Sequence, residues 1–267
     1  QTAVFDKYNP SLRWAFQPVI DGDIIPRKPL EAWESKVWNK VPIMTGFNSN
    51  EGTMYVDKTM SDASQFREFW HNLLPELSSS DLDTIEKLYP DPAVDPTSPY
   101  IEGRQGEGLG PQYKRIEAAY GHYAYVAPVR QTAQFASSQG APVYLYHWAL
   151  PRTVVGRANH ADNMYYETYN SDITGISESQ KELSGTLHAY LTSFITTGDP
   201  NAVPGRYAQR PEWKPFQPAH KKIMIFGEGN EELIGGNVAP PAKCVADDWA
   251  REETEFWWSK VPISQLA

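Results

Sequence analysis

The feature that most constrains this chain is a pair of short apolar segments, each followed by a polar loop. The first, Val41–Tyr55, opens with an apolar run too short for a helix with its own core face, so a buried strand ending at Gly46 is predicted. The second, Ala141–Leu150, is rich in β-branched and aromatic residues and also predicts a strand. The loop after the first strand carries Glu51, and the loop after the second carries His160.

Glu51 and His160 are therefore a candidate acid–base pair. Loops that leave the carboxyl ends of parallel strands meet at one edge of an open α/β sheet, which is a favoured place for chemistry. In hydrolases that use Ser, His and an acid, the carboxylate orients the imidazole, and the imidazole takes the serine proton. The α/β-hydrolase order is Ser, then acid, then His, and the last two occur here in that order. The alternative is that Glu51 is a solvated loop carboxylate.

Five segments resemble motifs of the type-B carboxylesterases, the cholinesterase-like family, and they occur in that family's order. They are the "PV-DG" segment (Phe16–Asp23), the acid loop (Gly46–Gly52), the strand before the histidine (Val143–Tyr146), the "F-TGDPN" helix end (Phe194–Asn201) and a tryptophan motif (Trp213–Phe216). The resemblance covers only the C-terminal half of such an enzyme. It implies the C-terminal half of an α/β-hydrolase fold, with a mostly parallel sheet and flanking helices. Residues 1–267 would then be part of a single domain, with no internal boundary.

The same resemblance implies that Glu51 and His160 are the catalytic acid and histidine. No Gly-x-Ser-x-Gly pentapeptide for a nucleophile elbow occurs in the 267 residues; Gly175–Ser179 fails at its last position. The family's glycine-rich oxyanion loop is absent too. The expected function is therefore the C-terminal chain of a serine carboxylic-ester hydrolase. Its serine and oxyanion hole would lie on a separate N-terminal chain that completes the sheet, with the enzyme either nicked or encoded in pieces.

Four neighbouring residues are weaker candidates by the same resemblance. The family often has an acid three residues after the histidine; here Asn163 stands at that place, with Asp162 one residue earlier, so both are expected behind the catalytic pair. Met54 and Tyr55 match positions where the family carries substrate-pocket side chains. Packing beneath the loop is the alternative for these two.

The composition limits the kinds of molecule that the chain is expected to bind. The net charge of −9, without a long basic run, disfavours nucleic acid and anionic membranes, and no apolar run approaches the roughly 18 residues of a transmembrane helix. No Cys/His cluster has zinc spacing, and no cofactor is implied. Cys244 is the only cysteine; a buried free thiol is expected, with an interchain disulfide as the alternative.

The resemblance implies a small-molecule or lipid ester as substrate and a secreted protein. Two other readings stay open. One is a non-catalytic cholinesterase-like binding or adhesion module, which the retention of both Glu51 and His160 disfavours. The other is an inactive fragment.

The remaining periodicity predicts several elements. The clearest helix runs from Ser177 to Thr197, opened by a Ser177–Gln180 capping box and closed by Gly198. Two short strands around Asp21-Gly22, further helices and one late strand are also predicted. Helices are expected at five places: Ser61–Leu74, a segment that begins with a Ser80–Asp83 cap, the region around Tyr113–Tyr120, a segment that begins at Pro128, and Val245–Trp258. The late strand is expected over Ile223–Phe226.

Overall fold

The computed structural model describes residues 2–4, 18–104, 107–151, 158–230 and 239–264. Phe16 and Gln17, at the start of the first resembling segment, lie outside these ranges. The helices are α1 (Pro29–Glu34), α2 (Ala63–Leu73), α3 (Ser79–Leu88), α4 (Tyr113–Gly121), α5 (Ala127–Ser138), α6 (Asn163–Glu167), α7 (Ser171–Thr174), α8 (Glu178–Thr197), α9 (Arg251–Ser259) and α10 (Val261–Ser264). The strands are β1 (Ile43–Asn48), β2 (Val143–Trp148), β3 (Lys222–Phe226) and β4 (Ala242–Ala246).

The four strands form one sheet in the order β1-β2-β3-β4. The pairs β1–β2 and β2–β3 are parallel, and β3–β4 is antiparallel. The prediction of a mostly parallel sheet with flanking helices is confirmed. Because β1 and β2 are parallel neighbours, the loops that follow them leave the sheet at the same edge.

The first strand is longer than predicted. It continues past Gly46 to Asn48, so the interpretation of this glycine as a strand end was wrong. Gly46 pairs with Tyr146 across the parallel ladder. A Cβ atom at Gly46 would lie 2.5 Å from ring carbons of Tyr146, so the glycine makes room for a neighbouring aromatic ring rather than ending the strand.

Three further predictions fail, two in the C-terminal region and one near the start of the chain. Residues Ala242–Ala246 form the antiparallel strand β4, so no helix begins at Val245; the helix begins at Arg251. Cys244 lies on this edge strand and is exposed, not buried. Around Asp21 no strand occurs in the described residues 18–28. There the Asp21 carboxylate accepts the N–H groups of Asp23 and Ile25 and stabilises a turn.

Helix ends follow side-chain capping. The Ser177 hydroxyl accepts the Gln180 N–H, and Gly198 closes α8 with a φ of 77°. The predicted capping box is only half formed, because the Gln180 side chain donates to the Tyr166 hydroxyl at 3.1 Å. The helix α3 is capped by Ser78, two residues earlier than predicted. Within the described ranges, no helix has the length and apolar character needed to cross a membrane.

The chain divides into two compact units. One takes in the chain up to Trp38, Tyr55–Tyr120 and the chain from Glu252 onward; there the rings of Trp70 and Trp257 lie 4.4 Å apart. The other, Asn39–Met54 with Gly121–Arg251, contains the sheet and an aromatic core cluster of buried residues that includes Trp148, Tyr190, Trp213 and Phe226. That residues 1–267 are part of one α/β-hydrolase domain stays a prediction.

Candidate active site

The predicted acid lies in a single 3₁₀ turn, Glu51–Met54, just after β1. The Glu51 side chain is 7% exposed. Its Oε1 accepts the backbone N–H of Asn48, the last residue of β1, at 2.6 Å. The carboxylate is therefore turned back against the end of the strand, and this fixes the direction of its second oxygen.

That second oxygen reaches the predicted histidine. Glu51 Oε2 lies 2.6 Å from His160 Nδ1, so the hydrogen bond expected between the two side chains is present. An ionised carboxylate only accepts, so Nδ1 carries the proton and the ring's lone pair is on Nε2. The His160 side chain is 31% exposed. This tautomer and orientation are those of the base in a Ser-His-acid triad.

The surroundings of His160 favour its cation. The hydrogen bond from Glu51 raises the pKa of the imidazole, burial opposes this effect, and the charges of Glu51 and Asp162 add to it. A base that accepts a serine proton becomes an imidazolium in the transition state. The Glu51 carboxylate therefore stabilises an imidazolium at His160, which is the charge state of the base in a Ser-His-acid triad.

The histidine loop is held to the acid loop through its backbone. Asn50 and Asn159 form a parallel bridge, and the Asn50 N–H donates to the Ala158 carbonyl at 2.9 Å. Asp162, expected behind the catalytic pair, accepts the Asn159 N–H at 2.9 Å and so closes the turn that presents His160. Its side chain acts on the histidine through this turn and through its charge.

Asn163, also predicted behind the pair, belongs to a polar cluster. Its Nδ2 donates to Glu167 at 2.6 Å and to the Tyr146 hydroxyl at 3.2 Å. Its Oδ1 accepts from the side-chain amide of Asn48 at 3.0 Å. Sequence reasoning missed Asn48, although its place at the carboxyl end of a strand, three residues before the acid, was a usable signal.

A second feature that the sequence did not reveal is a π-helical turn, His122–Val126, between α4 and α5. Such turns are frequent at functional sites. The ring of Tyr125, within this turn, lies 4.6 Å from the His160 ring. At the turn's start, a Cβ atom on Gly121 would lie 3.2 Å from Glu51 Cβ, so the bare glycine allows close approach to the acid loop.

The two predicted pocket residues are placed differently. Met54 ends the 3₁₀ turn with its side chain 68% exposed, so it does not pack beneath the loop. Tyr55 belongs to the other unit, where its ring lies 5.7 Å from that of Tyr120. A role for either in binding substrate stays a prediction. In the described part of the chain, no group of three His, Cys, Asp or Glu side chains is arranged to hold a metal ion.

Another histidine lies beside the acid loop, and its environment differs sharply. His147 Nε2 lies 2.8 Å from the Ser49 hydroxyl, and its ring packs 4.8 Å from Phe47 and 4.6 Å from Trp249. Burial, with a smaller effect from Arg130, lowers the pKa of His147 to about 3. A histidine whose pKa is this low accepts a proton poorly near neutral pH, so it is a poor general base for a serine. His160 is therefore the better candidate.

The buried His147 makes the fold sensitive to acid. Its pKa is about 3 when folded and 6.5 in the unfolded chain, so the free energy of unfolding should fall as pH drops through this window. Urea unfolding between about pH 7 and about pH 4 checks this. His147→Gln should flatten the decline, whereas the change at the exposed His220, His220→Gln, should not. Parallel curves for the native protein and His147→Gln would contradict the prediction.

Residues 2–257 match the family model described as the carboxylesterase family. The chain belongs to the carboxylesterase family. Secreted lipase 4 of Gibberella zeae is 33% identical over 261 residues, which cover 96% of this chain and 43% of that protein. Human neuroligin-2 is 24% identical over 272 residues, covering 93% of this chain and 31% of that protein.

A solved structure has a similar fold. The crystal structure of Aspergillus niger EstA superposes with a TM-score of 0.71 at 20% identity, over 94% of this chain and 46% of EstA. This likeness shows the α/β-hydrolase fold. This carboxylesterase-family chain spans less than half the length of each of these three proteins.

Proposed function

We propose that this chain supplies the acid and the base of a Ser-His-Glu triad in a serine carboxylic-ester hydrolase. Glu51 is the acid, and His160 is the general base that takes the serine proton at Nε2 and returns it to the leaving group. The observation that carries this proposal is the 2.6 Å hydrogen bond between Glu51 Oε2 and His160 Nδ1. Membership of the carboxylesterase family supports the reaction class.

The nucleophilic serine and the oxyanion donors come, in this proposal, from polypeptide outside these 267 residues. The chain contains no Gly-x-Ser-x-Gly elbow. The sheet described above holds the strands before the acid and the histidine. We assign the serine to a portion of the same enzyme that precedes the acid in the family's order and packs against the described sheet.

The substrate class is a carboxylic ester, either a small molecule or a lipid. The name of the secreted lipase that matches 96% of this chain supports an acyl ester and export from the cell. Met54, exposed at the end of the acid turn, is the described apolar side chain best placed to meet an acyl group.

A non-catalytic binding module is the competing proposal, and it is favoured by the similarity to neuroligin-2, whose name, unlike that of the lipase, states no reaction. A binding module has no need of an oriented imidazole. The retained bond between Glu51 and His160, with a raised pKa at the histidine, therefore favours hydrolysis.

The test uses the intact native protein and a fluorophosphonate, which reacts covalently with activated serines. We expect hydrolysis of p-nitrophenyl esters, loss of that activity on labelling, and a labelled serine outside residues 1–267. Peptide mapping identifies the labelled serine. A label on a serine within residues 1–267 would refute this assignment of the nucleophile, and an unlabelled protein without esterase activity would leave the binding module as the function.

A further inference from the structure

One buried residue, Asn48, makes hydrogen bonds both to the acid and to the loop that carries the histidine. Asn48 is 2% exposed at the end of β1. Its backbone N–H donates to Glu51 Oε1 at 2.6 Å. Its side-chain Nδ2 donates to the Asn159 carbonyl at 2.6 Å, next to His160 in the chain, and to Asn163 Oδ1 at 3.0 Å, three residues after it.

The direction of these hydrogen bonds is fixed from both ends. The Asn159 backbone oxygen can only accept, and the ionised carboxylate of Glu167 can only accept. Glu167 therefore requires the Nδ2 side of Asn163, which turns Asn163 Oδ1 towards Asn48. Both neighbours of the Asn48 amide are thus acceptors. An amide nitrogen, with two donor hydrogens, satisfies both at once.

Replacement by other residues would not reproduce this arrangement. Aspartate has nearly the same shape but offers only acceptors, which would face the two acceptors already there. Alanine would leave the Asn159 carbonyl and Asn163 Oδ1 without this donor in a buried place, which is costly. A shorter serine hydroxyl has one hydrogen for two acceptors.

We propose that Asn48 is a positioning residue whose side-chain amide fastens the loop carrying His160 to the end of the strand that carries Glu51. The backbone of Asn48 aims the acid, and its side chain aims the histidine. Its effect on hydrolysis rests on the function proposed above. Its effect on the Glu51–His160 bond does not, because that bond is a property of this chain alone.

The expected results concern both turnover and the titration of His160. In the intact protein, Asn48→Ala should lower kcat roughly 10- to 100-fold with little change in KM, because small misplacements of a catalytic group slow chemistry more than binding. The pKa of His160, followed by NMR of ¹³C-labelled histidine, should fall towards its usual value as the loop that carries His160 moves away from Glu51. Glu51, Asp162 and Tyr125 face this ring, and the variant removes none of them.

Asn201→Ala is the matched control. Asn201 lies on the loop after α8, and its Nδ2 also donates to two oxygens. These are the Asp199 carboxylate and the Trp213 carbonyl, both at 2.9 Å. It should lower Tm without changing the His160 titration. If Asn48→Ala does not fold, Asn48→Ser, which adds no charge and keeps one donor hydrogen, carries the same test with smaller expected changes.

The outcomes separate this proposal from the proposed function. A folded Asn48 variant with an unchanged His160 titration and unchanged kcat, or with losses no different from Asn201→Ala, overturns the positioning role. If the native protein hydrolyses no ester, the proposed function fails, and the NMR titration still decides whether Asn48 holds the pair.

Discussion

Replacing His160 with alanine is expected to lower kcat for ester hydrolysis by roughly four to six orders of magnitude in the intact protein, if His160 is the base of the function proposed above. The variant keeps the binding site but has no base to take the serine proton and no imidazolium to return it. Only the oxyanion donors and substrate binding would then accelerate the reaction. Stability should change little, since the His160 side chain is 31% exposed and lies on a loop.

The measurement is burst and steady-state hydrolysis of a p-nitrophenyl ester by the native protein and the variant, with Tm measured for both. His220→Ala, at an exposed position, is the matched control and should retain normal turnover. If His160→Ala turned over substrate at a near-native rate, the base would have to be another residue. His147 would then be the next to test, because its Nε2 contacts Ser49.

The largest expected loss of stability follows from removing Asp247. Its carboxylate is fully buried, and each of its two oxygens lies 3.1 Å from Arg130 Nε. Its Oδ2 also lies 3.0 Å from Arg251 Nη1. The Arg130 side chain is itself only 3% exposed. Removing one partner of a buried ion pair leaves an uncompensated charge, at a cost of about 3–5 kcal/mol. Asp247→Ala should therefore lower the free energy of unfolding by about this amount.

Urea unfolding of the intact protein measures the change, and Glu212→Ala provides the control. Glu212 pairs with Lys214 at 3.7 Å, with both side chains 70% exposed. A pair so exposed contributes about 1 kcal/mol or less. Asp247→Asn, which keeps the shape but not the charge, should lose most of the stability lost by alanine. Equal small shifts in the Asp247 and Glu212 variants would show that the buried network is not needed.

The parts of the site that the sequence predicted are those set by local pattern. An apolar run followed by a polar loop marks the end of a buried strand, so Glu51 and His160 could be placed at one sheet edge before any contact was known. Each motif that carries the family resemblance is a contiguous segment, so it could also be recognised from the sequence. The hydrogen bond between the two side chains follows once the sheet is parallel and the strands are neighbours.

The parts that were missed depend on contacts between segments far apart in the chain. Gly46 signals a turn when read alone, and only its pairing with Tyr146 explains a glycine inside a strand. The strand β4 exists because β3 is available to pair with it, while its own sequence runs into a helix-like pattern. The Asn48 amide likewise acquires its role only when the Asn159 loop is adjacent.

The backbone on either side of His160 has a consequence for engineering. Ala158 and Ala161 adopt φ values of 55° and 69°, a left-handed conformation that costs an alanine about 1 kcal/mol or more relative to glycine. Directed evolution for heat tolerance would favour glycine at Ala161, whereas the methyl group of Ala158 is buried in the core cluster and would be lost. Glycine at Ala161 would also give the loop new conformations when folded. Selection for thermostability alone would therefore tend to loosen the segment that presents the imidazole, so a screen should score turnover and melting temperature together.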